Sequence, residues 1–552
     1  MPESSHLESL RANLILINGK VATMDPALTI AEAVAVKDGR ILAVGSTGEI
    51  ESLARSDAEV IDLEGRTLLP GFVDSHEHCI RRGLRVDWVS CRSPPMETIQ
   101  EIIDALAAKA SEKPPREWII GNWFDETRLE DGRWPTKHDL DEASDQHPIY
   151  LGRAGGHNAV ANSLALELAG INRETPQPSG GRIEKDGSGE LTGRLDEIAA
   201  MNLVRDRIPK LGKDETVRVM VENWPVVEGM LLSWGITTVH EAHIKAPEAQ
   251  AYQELDRSGG LRMRVGMMLD GMAPYNGHAT ADLARQGLRT GFGWSDRLYV
   301  IGVKIGVDGA MGSLTAALHE DYANDPGNRG IMRVSREDLI RETVELHRAG
   351  NRACIHAIGD RAVDLALDAI GAAVESRPWE DHRHRIEHAG YVVPRQLERM
   401  ARLGVAVSAS IGFCHPIGDS HHAALGEDRL CGYYPMRGFK EHGVVAGGNS
   451  DGFGENWVLI GISGCVTRRS VGGRVLCEEQ GISVEEAVKA YTLNGAYLEG
   501  KEGEKGSLEP GKLADMVVLD RDIFTVDPLE IVDIRVLTTI VGGEVVYERG
   551  SG

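Results

Sequence analysis

The sequence contains few cysteines, and none of them form a paired motif. Its 552 residues include seven cysteines, an odd number spread widely along the chain without any Cys-x-x-Cys. This pattern argues against a disulfide framework and against a zinc finger, and it is typical of reduced thiols in a cytosolic protein. We therefore expect free thiols at the seven positions, which are Cys79, Cys91, Cys354, Cys414, Cys431, Cys465 and Cys477.

Long apolar runs and an excess of basic residues are also absent. Residues 1–20 include acidic side chains and no apolar stretch long enough for a signal peptide or a membrane span, so we expect a cytoplasmic protein. The 84 Asp and Glu residues outnumber the 60 Lys and Arg residues, which gives a formal net charge of −24. Because nucleic acids and anionic membranes attract basic patches, we expect neither as a partner. We expect a small-molecule substrate and, since homodimers are the commonest oligomers, a homodimer.

The middle of the sequence alternates between strand-like and helix-like segments. The candidate strands are residues 72–75, 237–240, 263–268, 299–304, 353–356, 385–388, 405–409 and 444–446. Helical patterns follow several of them, for example at residues 335–347, 361–373 and 394–403. This alternation predicts an α/β protein with a (β/α)8 TIM-like barrel. Since such a barrel needs ~250 residues, the excess must lie in insertions, the largest at about residues 85–234.

Both ends of the sequence have the character of short strands. Asp38 and Gly39 separate two apolar runs, which is a strong hairpin signal, and similar strand-like segments recur from residue 514 onwards. Because chain ends often lie close together, we expect a small β-sandwich domain built from residues 1–69 and 505–552, with the barrel at residues 70–504.

Residues of types that can bind metal ions lie at the ends of five candidate strands. Residues 74–78 read Asp-Ser-His-Glu-His, and alternation along an extended chain points His76 and His78 the same way. Candidates at the other strand ends are Lys304, His356, His388 and Asp451. Since barrel active sites lie at the C-terminal ends of the strands, the six side chains should converge at one mouth.

These residue types predict a centre with two divalent ions. Neutral imidazoles suit zinc and similar ions, and carboxylates supply charge. Two ions held close together need a bridging anion, which Lys304 would provide as a carbamate formed with carbon dioxide; the alternative is that Lys304 forms an ion pair. Metal binding lowers the pKa of water from ~15.7 to about 7. Asp451 would then take the proton as metal-bound hydroxide attacks a carbonyl, and return it to the leaving nitrogen.

Several segments resemble the YtcJ-like branch of the amidohydrolase superfamily, which includes N-substituted formamide deformylase. They are spread over nearly the whole chain, at residues 69–78, 302–309, 355–362, 385–388 and 506–515. The resemblance implies that His76 and His78 bind one ion and that His356 and His388 bind the other. It further implies Lys304 as a carbamylated bridge and Asp451 as the proton shuttle. The implied reaction is hydrolysis of a C–N bond other than a peptide bond, in an amide, N-acyl or N-formyl compound.

Two loops depart from the pattern of this branch. Leu314 replaces the usual arginine ahead of a Thr-Ala pair, and Asp451 is followed by Gly-Phe-Gly instead of a small residue and proline. Both loops are expected to face the pocket. The substrate of a relative therefore cannot be assigned to this chain.

Further residues are weaker candidates. Trp123 and His157 lie in motifs of the large insertion and are candidates for substrate binding, although packing within the insertion explains them equally well, and Asp308 is a third such candidate. The sequence pattern gives only weak support for a metal-ligand role of five further histidines, which are His240, His243, His415, His421 and His422. For the last three of these, a solvated loop is the expected setting.

Two other functions fit parts of the pattern. One is deamination of a heterocycle with a single metal ion, but a single-ion site needs no bridge and leaves Lys304 unexplained. The other is a catalytically silent barrel that serves as a scaffold. Such a protein would be expected to have lost metal ligands, whereas this sequence keeps all six candidates.

Overall fold

A computed structural model describes residues 11–93, 95–154, 156, 158–271, 288–452, 454 and 456–550. The chain divides into two compact units, one formed by Met1–Gly83 with Val217–Gly552 and the other by Leu84–Thr216. Among the described residues, no helix combines the length and the apolar character needed to cross a membrane.

The strands and helices are numbered in chain order. The strands are β1 (Ala12–Ile17), β2 (Lys20–Ala22), β3 (Ile30–Ala31), β4 (Ala33–Lys37), β5 (Arg40–Gly45), β6 (Ala54–Asp62), β7 (Thr67–Pro70), β8 (Phe72–Glu77), β9 (Val89–Ser90), β10 (Ile119–Phe124), β11 (Ile149–Arg153), β12 (Asn158–Ala161), β13 (Arg182–Lys185), β14 (Leu191–Asp196), β15 (Ile236–Ile244), β16 (Arg264–Asp270), β17 (Leu298–Gly306), β18 (Ala353–Ala357), β19 (Arg385–His388), β20 (Ala406–Ala409), β21 (Ala446–Gly448), β22 (Met516–Leu519), β23 (Val536–Val541) and β24 (Glu544–Glu548). The α-helices are α1 (Thr47–Glu51), α2 (Ile99–Ser111), α3 (Lys137–Ala143), α4 (Ser163–Leu168), α5 (Glu197–Arg205), α6 (Lys213–Ser233), α7 (Ala246–Ser258), α8 (Arg336–Arg348), α9 (Asp360–Ser376), α10 (Pro394–Leu403), α11 (Gly418–Leu425), α12 (Met436–Glu441), α13 (Trp457–Thr467), α14 (Val484–Ala490) and α15 (Leu493–Glu499).

The larger unit contains a parallel barrel of eight strands whose spatial order follows the chain, from β8 through β15–β20 to β21. Between its first and last strands, the Ser75 hydroxyl donates a hydrogen bond of 2.8 Å to the carbonyl of Gly448. All nine residues of β17 are buried, as expected for a parallel strand that is covered on both faces and therefore reads as an apolar run. The predicted (β/α)8 barrel is confirmed.

Helix signals in the sequence also correspond to helices in the structure. The Ser335 hydroxyl accepts a hydrogen bond from the backbone of Asp338 and caps α8. Helix α10 begins at a proline and ends before Gly404, which has a positive φ of 66°.

Strands from both ends of the chain form two further sheets in the larger unit. Their strand orders are β5-β4-β1-β6 and β24-β23-β22-β7-β2-β3. In the second sheet β22 lies antiparallel to β7, with Val517 opposite Leu69. Buried side chains of both sheets, such as Leu14 and Val36 from the first and Met516 from the second, belong to one apolar cluster.

The smaller unit has a sheet and an apolar core of its own. Its six strands follow the order β13-β14-β12-β11-β10-β9. Helix α2 contributes Ile102 and Leu106 to a buried cluster that also contains Leu151 of β11. The insertion is predicted from the sequence, but its sheet is not.

One pair of cysteines departs from the expectation of free thiols. Cys431 and Cys477 form a disulfide across 46 residues of sequence, with 5.1 Å between their Cα atoms. The expectation is therefore wrong at this pair, because the fold brings together two segments whose cysteines show no motif. The other five cysteines are buried free thiols.

A buried ion pair connects the barrel to the second terminal sheet. Arg264 in β16 donates hydrogen bonds of 2.7 and 2.9 Å to the Asp515 carboxylate, next to β22. Asp515 also accepts a 2.8 Å bond from the backbone of Gly542. Only 1% of Arg264 and 4% of Asp515 is exposed. Arg264 also contacts the exposed Asp296 at 3.0 Å, whereas the buried Asp515 carboxylate depends on Arg264 for compensation.

We predict that Arg264→Met lowers the free energy of unfolding by about 3–5 kcal/mol, because it leaves the Asp515 carboxylate buried without its partner. Urea unfolding followed by far-ultraviolet circular dichroism measures this change. Arg341→Met is the control, since Arg341 pairs with Asp338 on the surface, and its effect should be much smaller. Equal effects of the two substitutions would contradict the importance of the buried pair.

Candidate metal centre

The ends of barrel strands bring four of the predicted ligands into direct proximity. The Lys304 Nζ lies 2.9 Å from the Nε2 of His76. The Asp451 carboxylate lies 3.8 Å from the same His76 nitrogen and 3.4 Å from the Nε2 of His78. Ligand atoms of His76, His78 and Asp451 all lie within 4.8 Å of one another, which is close enough to share one ion.

The two other predicted ligands continue this cluster. The ring centroid of His388 lies 4.7 Å from that of His76 and 4.6 Å from that of His356. His388 is buried, whereas 20% of the His356 side chain is exposed. The six side chains predicted from strand ends therefore form one continuous group.

Each of three imidazoles in the cluster is held through one ring nitrogen. These bonds join His76 Nδ1 to Glu387 at 2.5 Å, His388 Nδ1 to the Ser410 hydroxyl at 2.9 Å, and His356 Nε2 to the carbonyl of Gly309 at 3.1 Å. Bonds of this kind fix the tautomer and the orientation of a metal-binding imidazole. They leave His76 Nε2, His388 Nε2 and His356 Nδ1 as possible metal ligands, so the donor set fits divalent ions.

Glu387 is an important residue that is not among the candidates predicted from the sequence. Its carboxylate receives a 2.5 Å hydrogen bond from the Arg385 Nε, and both side chains are fully buried. Burial acts to raise the pKa of Glu387, but Arg385 and Lys304 lower it below its usual value. The available signal is the spacing in β19, because Arg385 and Glu387 are two residues apart and share one face of the strand.

Burial also controls the protonation of the buried nitrogens. It lowers the pKa of His76 well below its usual value, and the nearby Lys304 lowers it further. Burial lowers the pKa of Lys304 to about 8, although Glu387 and Asp451 act in the opposite direction. His388 has a pKa well below its usual value, mainly because it is buried. The imidazoles of His76 and His388 are therefore neutral at pH 7, the state in which histidine binds metals.

Asp451 is the partly exposed carboxylate of the cluster. Its backbone lies in the left-handed region, with φ of 51°, and its amide donates a 2.9 Å bond to the carbonyl of His76. Burial acts to raise the pKa of Asp451, but His388, His78 and Lys304 lower it to about 2. About a quarter of the side chain, 27%, is exposed, so this ionised group can be reached from the barrel mouth.

The remaining candidates differ in their settings. Asp308 borders the cluster, because its Oδ1 lies 3.4 Å from the Nε2 of His356. It is fully buried, and its carboxylate accepts hydrogen bonds from the backbone amides of residues 317, 358 and 359, which is the geometry of a loop anchor. Trp123 belongs to the smaller unit, where Arg92 lies over its ring. His157 lies outside the described residues.

Two histidines of the second barrel strand have different partners. His240 is fully buried, and its Nδ1 accepts a 2.9 Å hydrogen bond from Arg385. His243 stacks on His78 with 6.2 Å between ring centroids, and its Nδ1 lies 3.3 Å from the Asp270 carboxylate. His243 therefore borders the cluster, whereas His240 is linked to it through Arg385.

Comparison with known proteins gives the family of this chain. The profile of the amidohydrolase family matches residues 59–547. The chain belongs to the amidohydrolase family. Its resemblance to the YtcJ-like branch is likewise confirmed by relatives that match over nearly their whole length.

Among these relatives, N-substituted formamide deformylase of Arthrobacter pascens is 32% identical, over 97% of this chain and 98% of its own. YtcJ of Bacillus subtilis is 31% identical, over 94% of this chain and 96% of its own. Among solved structures, an uncharacterized metal-dependent hydrolase from Pyrococcus furiosus has a TM-score of 0.72 and 28% identity, and covers 93% of this chain and 100% of its own.

We predict that Glu387→Gln weakens zinc binding by roughly 10- to 100-fold, because His76 loses the carboxylate that orients it. Competition with a chelator of known affinity measures this change on the full-length protein. Glu398→Gln is the control, since Glu398 lies exposed on α10. Unchanged affinity in the Glu387 variant would show that this carboxylate does not tune the cluster.

Proposed function

We propose that this amidohydrolase cleaves the C–N bond of an amide, N-acyl or N-formyl compound with the help of two divalent ions, zinc being the first choice. The observation that carries the proposal is the convergence of four imidazoles, one lysine and one carboxylate at a single barrel mouth. The names of two relatives agree with it, since one is a deformylase and one a metal-dependent hydrolase.

The positions of the side chains suggest how the ions are shared. His76 and His78, with Asp451 beside them, would hold one ion, and His356 and His388 would hold the other. Zinc suits this set because it prefers imidazole nitrogen and carboxylate oxygen. When bound, such ions lower the pKa of a coordinated water from ~15.7 to about 7 and polarise a substrate carbonyl.

Lys304 is proposed to carry the bridging anion as a carbamate. Among the described residues, its Nζ forms hydrogen bonds only with the His76 ring, which is a poor environment for an ammonium ion. The ammonium would first lose one proton; the neutral amine nitrogen would then attack the carbon of carbon dioxide and lose a second proton, so that the buried cation becomes an anion. That anion would stabilise two adjacent cations and remove the cost of a buried ammonium.

Asp451 is proposed to move the proton. Its carboxylate lies beside both His76 and His78 and is ionised at neutral pH. It would accept the proton of the attacking water and then donate it to the leaving nitrogen, as a general base followed by a general acid. Its backbone hydrogen bond to His76 keeps the carboxylate next to the ligands.

We expect protein purified with bicarbonate and zinc to contain close to two ions per chain, and the Lys304→Ala variant to lose at least one of them, because the bridge is gone. Metal analysis measures this content. Lys440→Ala should keep both ions, since Lys440 is exposed and pairs with Glu486 on the surface. One ion in every variant would support a single-metal deaminase, and metal-free protein would support a silent scaffold.

The Asp451→Asn variant should lower kcat for N-formyl and N-acyl amines by about 10²- to 10⁴-fold, because an amide cannot take up the proton. Steady-state kinetics together with metal analysis separate this effect from metal loss. Asp321→Asn, which changes a surface carboxylate paired with Arg329, should leave kcat unchanged. Full activity of the Asp451 variant would rule out its proton-transfer role.

A further inference from the structure

A carboxylate lies beside the Cys431–Cys477 disulfide. The Cys477 Sγ is 3.1 Å from the carboxylate of Glu479, two residues further along the chain. The ligand atoms of Cys431, Cys477 and Glu479 all lie within 4.8 Å of one another. Thiolates and carboxylates are ligands of zinc, and this group contains none of the six side chains at the barrel mouth. The molecule therefore has a second cluster of possible metal ligands.

The buried side chain of Arg468 connects the two segments that carry these cysteines. Its guanidinium donates a 3.0 Å hydrogen bond to the carbonyl of Leu476, which precedes Cys477, and a 2.6 Å bond to the carbonyl of Tyr433, two residues after Cys431. The backbone amide of Leu476 also donates a 2.8 Å bond to the carbonyl of Arg468. None of these bonds involves a sulfur atom. The two cysteines therefore stay close together when the bond between them is opened.

The ring of Tyr433 anchors the Cys431 segment in the interior. Only 1% of Tyr433 is exposed, and its hydroxyl lies 2.8 Å from the Nδ1 of His421. A solvated loop is expected for His421 from the sequence, but this residue belongs to α11 and only 4% of it is exposed, so that expectation is wrong here. Because close-packed interiors leave side chains little room to move, the chain next to Cys431 is held in place.

The cluster is open to solvent. Cys431 and Glu479 are exposed and Cys477 is partly exposed, so a reductant and a metal ion can reach the sulfur atoms. Exposed disulfides are more readily reduced than the protected disulfides that stabilise a fold. Among the described residues, Glu479 forms no ion pair, and its only hydrogen bond is with the Cys477 sulfur. Its negative charge is therefore available to a cation.

The spacing of the ligand atoms suits a tetrahedral zinc ion. With Zn–S bonds of about 2.3 Å and Zn–O bonds of about 2.1 Å, two thiolates on one ion lie about 3.8 Å apart, and a thiolate and a carboxylate oxygen about 3.6 Å apart. The separation of 3.1 Å between Cys477 and Glu479 is close to the second distance. Because 5.1 Å separates the Cα atoms of Cys431 and Cys477, rotation of their side chains is enough to bring the thiolates to the first distance.

We propose that reduction of the Cys431–Cys477 disulfide creates a zinc site in which both thiolates and the Glu479 carboxylate bind the ion and a water molecule completes the tetrahedron. A thiol reductant supplies two electrons and two protons, which convert the disulfide into two thiols while the reductant is oxidised to its own disulfide. Zinc then displaces the two thiol protons. Soft sulfur ligands select zinc over magnesium and calcium. The site does not depend on the proposed hydrolytic function.

In this arrangement one cross-link replaces the other. The segment that carries Cys431 is bound to the loop that follows His388, because the backbone amide of Val392 donates a 2.8 Å hydrogen bond to the carbonyl of Gly432. The disulfide in the oxidised protein and the zinc ion in the reduced protein each join this segment to Cys477. The loop next to a proposed metal ligand is therefore supported in both redox states.

Cobalt(II) tests the site, because cobalt bound to thiolates gives an intense charge-transfer band in the near ultraviolet, whereas imidazole and carboxylate ligands do not. The full-length protein is reduced with tris(2-carboxyethyl)phosphine, which contains no thiol, then freed from excess reductant without air and titrated with cobalt. We expect the band in the reduced protein, its loss when zinc is added, and no band in the oxidised protein. Ions at the barrel mouth do not contribute to this band.

Three variants identify the ligands. Cys477→Ala keeps the five buried thiols but should lose the band. Glu479→Gln keeps both cysteines and should raise the Kd for cobalt by roughly 10-fold or more, since even the loss of a residue that only orients a metal ligand has an effect of this size. Glu478→Gln is the matched control, because Glu478 is the exposed neighbour on the same turn, and its Kd should equal that of the parent.

Absence of the band from the reduced parent protein, or an equal band in Cys477→Ala, would refute the site. Equal Kd values for Glu479→Gln and the parent would overturn the assignment of Glu479 as a ligand. Circular dichroism shows whether the variants are folded. Because Glu479→Gln retains both cysteines, its Kd decides the question even if Cys477→Ala does not fold. No step of this test measures hydrolysis, so its outcome is separate from that of the proposed function.

Discussion

The candidate site depends on the buried contact in which the Glu387 carboxylate lies between Arg385 and His76. Both bonds measure 2.5 Å, and solvent reaches almost none of the three side chains. Removing charges from water costs several kcal/mol for each ion, and only well-placed partners offset that cost. Arg385 also donates a 2.7 Å hydrogen bond to the carbonyl of Ser75 in β8. The same guanidinium therefore fixes the orientation of the His76 ring and joins two barrel strands that are distant in sequence.

This contact belongs to a longer chain of buried polar contacts that runs from Arg385 to Lys505. Arg385 donates to His240, the other nitrogen of which lies 3.4 Å from the Glu499 carboxylate. Glu499 pairs with Lys505 at 2.6 Å, in the segment that leads from the barrel to the terminal sheets. Burial acts to raise the pKa of Glu499, but Lys505 and His240 hold it far below its usual value. Such a chain of contacts is stable only if its members are satisfied together, so the register of the strands and the position of the proposed metal ligands are set jointly.

The sequence predicts the barrel and the ligand positions because both follow from local patterns. Buried parallel strands read as apolar runs, and a ligand at a strand end needs no knowledge of distant contacts. The role of Glu387 depends instead on His76, which lies 311 residues away in the chain. The Cys431–Cys477 disulfide likewise joins segments 46 residues apart. These features arise only when the fold is complete, so composition and spacing do not reveal them.

The low pKa of Asp451 has opposite consequences for the two halves of the proposed reaction. With a pKa of about 2, its carboxylate is a weak base toward free water, whose pKa is ~15.7. Lowering the pKa of the attacking water to about 7 reduces the gap between the two groups from roughly 14 to about 5. Once protonated, however, the same carboxyl is a strong acid toward a leaving amine. In the proposed site the bound ions would replace the Lys304 ammonium as the positive charge beside Asp451. This environment would disfavour the first proton transfer and favour the second, which expels the nitrogen.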